Sequence, residues 1–323
     1  MASLKKDTAY YHLPGLFEFY ELYRVFLPLF YEHREYFYDW CDIGSIYGAP
    51  ADCLWGGGRV GFGDHDSAEI LALLREYGIS ARLTFSNSLL REEHLSDRKC
   101  NDLCALFEEG GDQRNGVIVH SDLLLAYLKQ QYPGFYFVSS TTKVLTDFSQ
   151  LRCELERPEF SYVVPDFRLN KEFEQLNNLP QPQKDKVEFL CNECCWFGCK
   201  DRKRCYENVS RKNLGETCPD HRCAAPGAQE GYRFSKAMEN PGFIMILLPD
   251  RILHSFLRRS LLQDNGSWTF CGVCAECGRK CPVSFWKRVT SCGFRNMSIR
   301  IWRRKNFILY MSRIARKIQD LMS

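Results

Sequence analysis

The chain has 323 residues, of which 45% are hydrophobic and 26% are charged, with a formal net charge of +3. These proportions are typical of a globular protein and exclude a disordered or fibrous chain. The 17 cysteines are many more than packing requires, and their odd number argues against a secreted framework of paired disulfides.

The sequence shows neither of the apolar segments that direct a chain into a membrane or out of the cell. It contains no stretch of about 18 uncharged apolar residues, which a membrane-spanning helix needs. Its first twelve residues lack the continuous apolar run of a signal peptide. We therefore expect a cytoplasmic protein without membrane contact, whose reduced thiols are free to bind iron or zinc.

Short apolar or aromatic runs alternate with longer helical patterns along most of the chain. The predicted strands are 38–46, 80–86, 116–121, 135–141, 161–166, 187–192, 243–248 and 296–302. The predicted helices lie near 16–34, 67–78, 91–109, 122–132, 147–155, 169–178, 200–212, 250–263 and 303–321. Strands separated by helices pair in parallel, so this alternation predicts an α/β fold.

Eight strand–helix units favour a (β/α)8 TIM-type barrel, with a doubly wound open sheet as the alternative. We expect residues 1–323 to form a single barrel domain. A cysteine-rich, ferredoxin-like insertion near the C-terminus is predicted within it at 254–292.

The active site of such a barrel lies at the carboxyl ends of its strands, so the polar residues there are candidates for contact with an anionic substrate. The candidate substrate-binding residues are Arg59, Asn87, Lys143, Asp166, Arg168, Glu193 and Arg300. Arg59 follows three glycines, whose backbone N–H groups could approach a phosphate or carboxylate, although a flexible turn explains the glycines equally well.

The sharpest motif is the run Cys271, Cys274, Cys277 and Cys281, which Pro282 follows. This spacing is that of bacterial ferredoxins, in which the first three thiolates hold one [4Fe–4S] cluster. Zn²⁺ is the main rival, because two Cys-x2-Cys pairs also suit a tetrahedral site. Four cysteines within eleven residues, with the terminal proline, favour iron.

A second group of cysteines begins where the strand at 187–192 ends. Its spacing fits no single template, but a strand end would place a metal centre in the mouth of the barrel. The candidate ligands of this group are Cys191, Cys194, Cys195, Cys199, Cys218 and Cys223. The scattered cysteines are Cys41, Cys53, Cys100, Cys104, Cys153 and Cys292. Most of them are expected to be buried thiols that pack as small apolar side chains, and Cys292 is a possible extra ligand.

The basic charge is concentrated near the C-terminus. Residues 282–319 carry ten Lys or Arg and no acidic residue, which leaves 33 basic and 40 acidic residues in the remainder. This segment could bind RNA or another polyanion. Apolar residues at helical spacing between 307 and 321 instead favour an amphipathic helix with a solvated cationic face.

Several segments resemble a known family. VEFLCNECCWFGC at 187–199, RKRCY at 202–206, IGSIYG at 43–48, LTFSN at 83–87 and SSTTK at 139–143 are similar to bacterial proteins related to the collagenase-like peptidase family, peptidase U32. The resemblance implies a TIM-type barrel and, as in several members, a [4Fe–4S] cluster associated with oxygen-independent hydroxylation of RNA bases or quinone precursors. Cys195 and Cys199 match the cysteine pair of that family, whereas its Glu-Gly-Arg motif is replaced here at 299–302.

We therefore predict an iron–sulfur-dependent enzyme with one or two [4Fe–4S] clusters. It would carry out anaerobic redox or hydroxylation-type chemistry on an anionic small molecule or an RNA-derived substrate, with a ferredoxin or flavodoxin as electron donor. The alternative is a Zn²⁺-stabilised module that binds nucleic acid or protein without redox activity. Peptidase activity is not expected, because the sequence places no nucleophile–base pair or His-rich metal site.

Overall fold

The computed structural model describes residues 8–57, 65–109, 113–190, 195, 199–219 and 245–247. The strands in these ranges are β1 (Ala9–Pro14), β2 (Cys41–Gly48), β3 (Ser80–Phe85), β4 (Gly116–Val119), β5 (Tyr136–Ser139), β6 (Phe160–Val163), β7 (Glu188–Leu190) and β8 (Met245–Leu247). The α-helices are α1 (Tyr20–Glu32), α2 (Ser67–Glu76), α3 (Arg98–Glu108), α4 (Asp122–Gln131), α5 (Phe148–Glu156), α6 (Phe173–Asn177), α7 (Gln181–Lys184) and α8 (Arg202–Asn213).

The strands form one sheet in the order β6-β5-β4-β3-β2-β1-β8-β7. Each neighbouring pair from β1 to β6 is parallel, whereas β8 runs antiparallel to both β1 and β7. The predicted (β/α)8 barrel is therefore wrong, because that fold requires eight parallel strands. The described residues form a six-stranded parallel α/β sheet with helices, curled into a half-barrel.

The order of the parallel strands also differs from that of the doubly wound alternative. Consecutive neighbours from β1 to β6 show no reversal of direction across the sheet, which a doubly wound sheet requires. Right-handed crossovers that always advance in one direction put every helix on the same face. The opposite face of the sheet is the concave inner face of the curl.

The curl is visible in contacts between distant strands. In a flat sheet β3 and β7 would lie about 19 Å apart, since three strands separate them. Arg82 on β3 and Glu188 on β7 are nevertheless joined by hydrogen bonds of 2.8 Å. The rings of His12 on β1 and Tyr162 on β6 lie 6.5 Å apart. The inner face is therefore a narrow space in which side chains from opposite strands meet.

Alternation along the strands separates the two faces. Leu83, Phe85 and Val117 belong to the main apolar core, together with residues of the helices such as Leu103 and Leu128. Intervening positions of the strands supply a smaller inner cluster, which comprises Ile118, Tyr136, Val138, Val164 and Leu190. The same two-residue period places Ser80 and Arg82 of β3 on the inner face.

Side-chain caps fix the starts of several helices, as the Asp and Ser residues before them predict. Asp66 accepts hydrogen bonds from two backbone N–H groups of α2, and Asp97 accepts one from Cys100 of α3. Ser121 caps α4 and Asp147 caps α5 in the same way. These caps fix the residue at which each of the four helices begins.

Seven of the eight predicted strands correspond to β2 through β8. β1 escapes the sequence pattern because His12 and Pro14 interrupt its apolar residues. The predicted strand at 296–302, the helices at 250–263 and 303–321, and the insertion at 254–292 lie outside the described residues. Within the described ranges, no helix is both long and apolar enough to cross a lipid bilayer.

Candidate functional site

A buried ion pair lies inside the curl of the sheet. Arg82 donates from both terminal nitrogens to the two carboxylate oxygens of Glu188, each at 2.8 Å. Arg82 also donates from Nε to the Tyr136 hydroxyl at 2.8 Å, and that hydroxyl shares a 2.8 Å hydrogen bond with Ser80. The exposed fractions of Arg82 and Glu188 are 1% and 0%, so water does not screen this bidentate pair.

His12 and Ser45 extend the same network. His12 Nδ1 and Ser45 Oγ are 2.7 Å apart in a hydrogen bond, and His12 Nε2 lies 3.4 Å from Glu188 Oε1. A Cβ on Gly44 would come within 2.5 Å of the imidazole, so only glycine leaves room for the ring. Burial lowers the pKa of His12 well below its ordinary value, and the charge of Arg82 lowers it further.

This inner network contains a serine, a histidine and a glutamate in contact, an arrangement that the sequence did not indicate. Ser45 is nevertheless fully buried, and both oxygens of Glu188 bind Arg82 rather than orienting the imidazole alone. A nucleophile must reach its substrate. We therefore assign these residues to the stability of the curled sheet.

A second polar cluster lies at the carboxyl edge of the sheet, just after β6. Asp166 is fully buried and accepts hydrogen bonds from Arg168 Nε at 2.6 Å and Arg168 Nη2 at 3.0 Å. Arg202, at the start of α8, brings its Nε to 3.4 Å from Asp166 Oδ2, the oxygen that also accepts from Arg168 Nη2. Two guanidinium groups thus converge on one carboxylate and tie α8 to the end of β6.

Cys195 and Cys199 lie in the segment between β7 and α8, and both are half-buried. Arg168 Nη1 donates a 2.8 Å hydrogen bond to the carbonyl oxygen of Cys199. Hydrogen bonds to Asp166 raise the pKa of Arg168. The guanidinium of Arg168 thus links the buried carboxylate of Asp166 to the backbone of Cys199.

Helix α8 runs across the carboxyl ends of several strands. Arg202 donates a 3.2 Å hydrogen bond to Thr141 after β5, and Ser210 accepts one of 3.0 Å from the backbone N–H of Ser88 after β3. Asn87 donates to the carbonyl oxygens of Leu54 and Ser210 at 2.9 and 3.2 Å. Helix α8 is thereby held across the carboxyl ends of the strands, at the opening that we call the mouth of the curl.

The glycine-rich loop after β2 packs against the same edge. A Cβ on Gly57 would lie 2.2 Å from the backbone carbonyl carbon of Ser86, so the two backbones touch. Asn213 of α8 donates a 2.6 Å hydrogen bond to the carbonyl oxygen of Gly56. In the described part of this loop, the glycines therefore serve close packing, while Gly58 and Arg59 lie outside the described residues.

His120 and Lys143 flank the mouth after β4 and β5. His120 Nδ1 is hydrogen-bonded to Thr142 Oγ1 at 2.8 Å. Burial lowers the pKa of His120 to about 4, with further contributions from Lys143 and Lys203. Lys143 Nζ lies 2.5 Å from Glu154 Oε1 on α5, so its ammonium group is paired on the helical side of the sheet.

The structure brings some of the predicted site residues together. Asn87, Asp166, Arg168, Cys195 and Cys199 all surround α8 or the segment before it. Cys218 lies beyond the other end of α8, where its thiol donates to the carbonyl oxygen of Asn208 at 3.3 Å. The predicted residues outside the described ranges are Arg59, Cys191, Glu193, Cys194, Cys223, Cys271, Cys274, Cys277, Cys281 and Arg300.

No group of three or more potential metal ligands occurs within the described ranges. Those ranges place two of the candidate cysteine ligands, Cys195 and Cys199, at the carboxyl edge, and a tetrahedral or cubane centre needs four ligands. The metal-binding role of the candidate cysteines and the substrate-binding role of the polar residues stay predictions.

Sequence reasoning missed the residues of the inner network and Arg202. The available signal was a charged side chain within an otherwise apolar strand, as Arg82 and Glu188 are. Such residues are buried only when paired, so their presence indicates a partner elsewhere in the sheet. Arg202 lies in a run of basic residues, where nothing distinguishes it from its solvated neighbours.

Comparison with known proteins gives one distant structural neighbour. The solved structure of the U32 peptidase Mk0906 superposes with a TM-score of 0.46 and 15% sequence identity, covering 71% of this chain and 87% of that chain. A scan against protein-family models finds no match. A search of curated proteins finds no significant match either.

Proposed function

We propose that the cysteine segment after β7 binds a [4Fe–4S] cluster, and that the protein is an iron–sulfur-dependent enzyme of anaerobic redox or hydroxylation-type chemistry. The observation that carries the proposal is the position of Cys195 and Cys199. These half-buried thiols lie between the end of β7 and the start of α8, at the carboxyl edge where parallel α/β sheets bind their ligands.

The donor chemistry of this segment suits iron. Thiolates are the ligands of cubane clusters, and two of the four required come from Cys195 and Cys199. The candidates for the other two are Cys191, Cys194, Cys218 and Cys223. When bound, the cluster would supply one-electron transfer beside the mouth of the curl.

The residues around the segment favour negative charge. Arg168 donates to the Cys199 carbonyl, and Arg202 begins the helix that follows. A cubane with four thiolates is anionic, so nearby guanidinium groups stabilise it and tune its potential. Asp166 holds both guanidinium groups in place.

An anionic substrate is supported by the start of α8. Its first turn contains Arg202, Lys203 and Arg204 and no acidic residue. Cations at a helix N-terminus oppose the helix dipole, so they do not serve the stability of α8. Lys200, Lys203 and Arg204 are exposed next to the cysteine segment, where they could bind a phosphate or carboxylate group.

The ferredoxin-spaced run from Cys271 to Cys281 completes the proposal. A second cluster there would receive electrons from a ferredoxin or flavodoxin and pass them to the first. This step rests on the spacing of the run alone, because the run lies outside the described residues.

The exposed cations of α8 also favour the second candidate, a Zn²⁺-stabilised module that binds nucleic acid. Phosphate contacts by lysine and arginine would give it an affinity that falls steeply with salt concentration. This candidate differs from the first in its metal, since Zn²⁺ supplies no electron transfer.

Anaerobic purification of the full chain, followed by analysis of iron, acid-labile sulfide and zinc, distinguishes the two. The cluster proposal predicts iron and sulfide in equal amounts, in multiples of about four per chain, and an EPR signal after reduction. Stoichiometric zinc without sulfide, combined with salt-dependent RNA binding that survives iron chelation, would establish the second candidate instead.

A further inference from the structure

Two buried thiols face each other away from the candidate metal segment. One lies on the loop that follows β2 and the other on α3. Cys53 on this loop and Cys100 on α3 place their Sγ atoms 3.5 Å apart in a hydrogen bond. Their exposed fractions are 2% and 0%. A disulfide bond is about 2.05 Å long, so the two sulfurs need to approach each other by only about 1.5 Å.

The surroundings of the two thiols differ. The hydrogen bond with Cys100 lowers the pKa of Cys53, and hydrogen bonds with the backbone of Gly56 and Trp55 lower it further against the effect of burial. The same hydrogen bond, together with burial, raises the pKa of Cys100. Of the two thiols, Cys53 therefore ionises more readily and is the better nucleophile.

We propose that Cys53 and Cys100 form a reversible disulfide when the protein meets a hydroperoxide such as hydrogen peroxide. The Cys53 thiolate attacks one peroxide oxygen, the O–O bond breaks, and one water leaves after proton transfer. Cys100 then attacks the sulfur of the resulting sulfenic acid, and the S–O bond breaks with loss of a second water. The two thiols lose two electrons and two protons, and the peroxide is reduced to two waters.

A small oxidant reaches the pair through local opening of the loop. Asp52, directly before Cys53, is exposed and has a left-handed backbone conformation with φ of 54°. A non-glycine residue in this conformation costs about 1 kcal/mol or more, which favours opening of the turn. Segments of low local stability open far more often than the whole protein unfolds.

The disulfide would act on the carboxyl edge of the sheet. The backbone N–H of Asn87 donates to the Trp55 carbonyl at 3.0 Å, and Asn213 of α8 donates to the Gly56 carbonyl at 2.6 Å. Movement of Cys53 toward α3 therefore pulls on hydrogen bonds to the end of β3 and to α8. The pair thus couples oxidation to the edge that carries the candidate site, whichever metal that site holds.

Peptide mapping of the oxidised full chain tests the proposal. Reduced protein is treated with hydrogen peroxide, its remaining thiols are alkylated, and the peptides of an unreduced digest are identified by mass spectrometry. We expect a cross-linked peptide pair joining Cys53 to Cys100, which dithiothreitol separates. Cys104→Ser should leave the cross-link intact, and Cys100→Ser should leave a sulfenic acid at Cys53 that dimedone traps.

Cys41 provides the internal control in the wild-type chain. It is as buried as Cys53, and burial raises its pKa to about 12. We expect Cys53 to be oxidised roughly tenfold faster than Cys41. Three results in the wild-type chain would overturn the proposal without recourse to any variant. They are equal oxidation rates at Cys53 and Cys41, a Cys53–Cys104 cross-link, and the absence of any disulfide at Cys53.

Discussion

The inner network and the carboxyl edge both contain a buried carboxylate held by arginine, yet they differ in what surrounds the pair. Glu188 and Arg82 lie among Tyr136, Ser80 and His12, all of them buried. Asp166 is equally buried, but Arg168 is partly exposed and reaches onward to the backbone of Cys199. The first pair joins strands of the sheet, whereas the second holds the backbone of Cys199 and the start of α8 at the carboxyl edge.

This difference separates a structural network from the candidate site within one curled sheet. Groups in the inner network are buried among the described residues and meet partners from other strands, which suits a fixed core. Groups at the edge adjoin half-buried thiols and the exposed cations of α8. Polar residues of parallel α/β folds that act on ligands lie at this carboxyl edge.

The largest effect is expected from Glu188→Gln. Removal of the charge leaves Arg82 buried without a counter-charge, which costs about 3–5 kcal/mol of the free energy of unfolding. Denaturant titration followed by circular dichroism measures the loss. The paired replacement of Arg82 and Glu188 by Met and Leu should recover most of it, and a paired variant that is no better than Glu188→Gln would refute the structural assignment.

A somewhat smaller loss of stability is expected from Asp166→Asn, about 3 kcal/mol, because buried Arg202 loses its carboxylate partner. Unlike Glu188→Gln, this change should also lower the affinity for iron by roughly 10–100-fold, since it frees the arginine that holds Cys199. Metal analysis alongside denaturation checks both effects. Unchanged iron content would mean that the edge cluster does not support the cysteine segment.

The pH dependence of stability should reveal the contribution of His120, which lies at the carboxyl edge. Burial lowers its native pKa to about 4 from the ordinary 6.5, so the unfolded chain takes up a proton first as pH falls. His120 therefore contributes stability above pH 6.5 that is lost between 6.5 and about 4, at about 1.4 kcal/mol per pH unit.

Denaturation at several pH values in the wild type and in His120→Gln measures this slope. The variant should lose less stability than the wild type across that interval, and parallel curves would contradict the assignment. The inner His12 contributes in the same direction, because burial and Arg82 also lower its pKa. His120→Gln removes only the contribution of His120 to the pH dependence of stability and leaves that of His12.

The smallest effect is expected from Arg98→Ala on the surface of α3. Arg98 pairs with Asp102 at 3.5 Å, but the two side chains are 93% and 70% exposed. Such a pair is worth less than about 1 kcal/mol. The change therefore serves as the matched control for Glu188→Gln, and a loss as large as that of the buried pair would undermine the comparison.

Local patterns in the sequence predict most elements but not how they meet. Aspartate and serine before the helices are seen as caps, and seven predicted strands are found in the sheet. Strand direction was inferred from alternation with helices, and this inference fails for β8, which is antiparallel to both of its neighbours. Pairing across the curl, as between Arg82 and Glu188, joins residues 106 positions apart and leaves no local signal.

The candidate site is predictable to a similar extent. Asp166 and Arg168 lie at a strand end, where polar residues of α/β folds were expected. The ion pair between Asp166 and Arg168, and the position of α8 across the carboxyl edge, depend on tertiary packing and have no local signal in the sequence. Gly57 is an example, since its close approach to Ser86 is visible only once two distant segments lie side by side.

The iron content of two matched variants tests the central claim most directly. The double variant with Cys195→Ser and Cys199→Ser removes the thiols of the edge segment, whereas Cys153→Ser removes an exposed thiol on α5. After anaerobic purification, we expect the double variant to lose about four iron and four sulfide per chain relative to Cys153→Ser. Equal iron and sulfide in the two variants would contradict a cluster at the carboxyl edge.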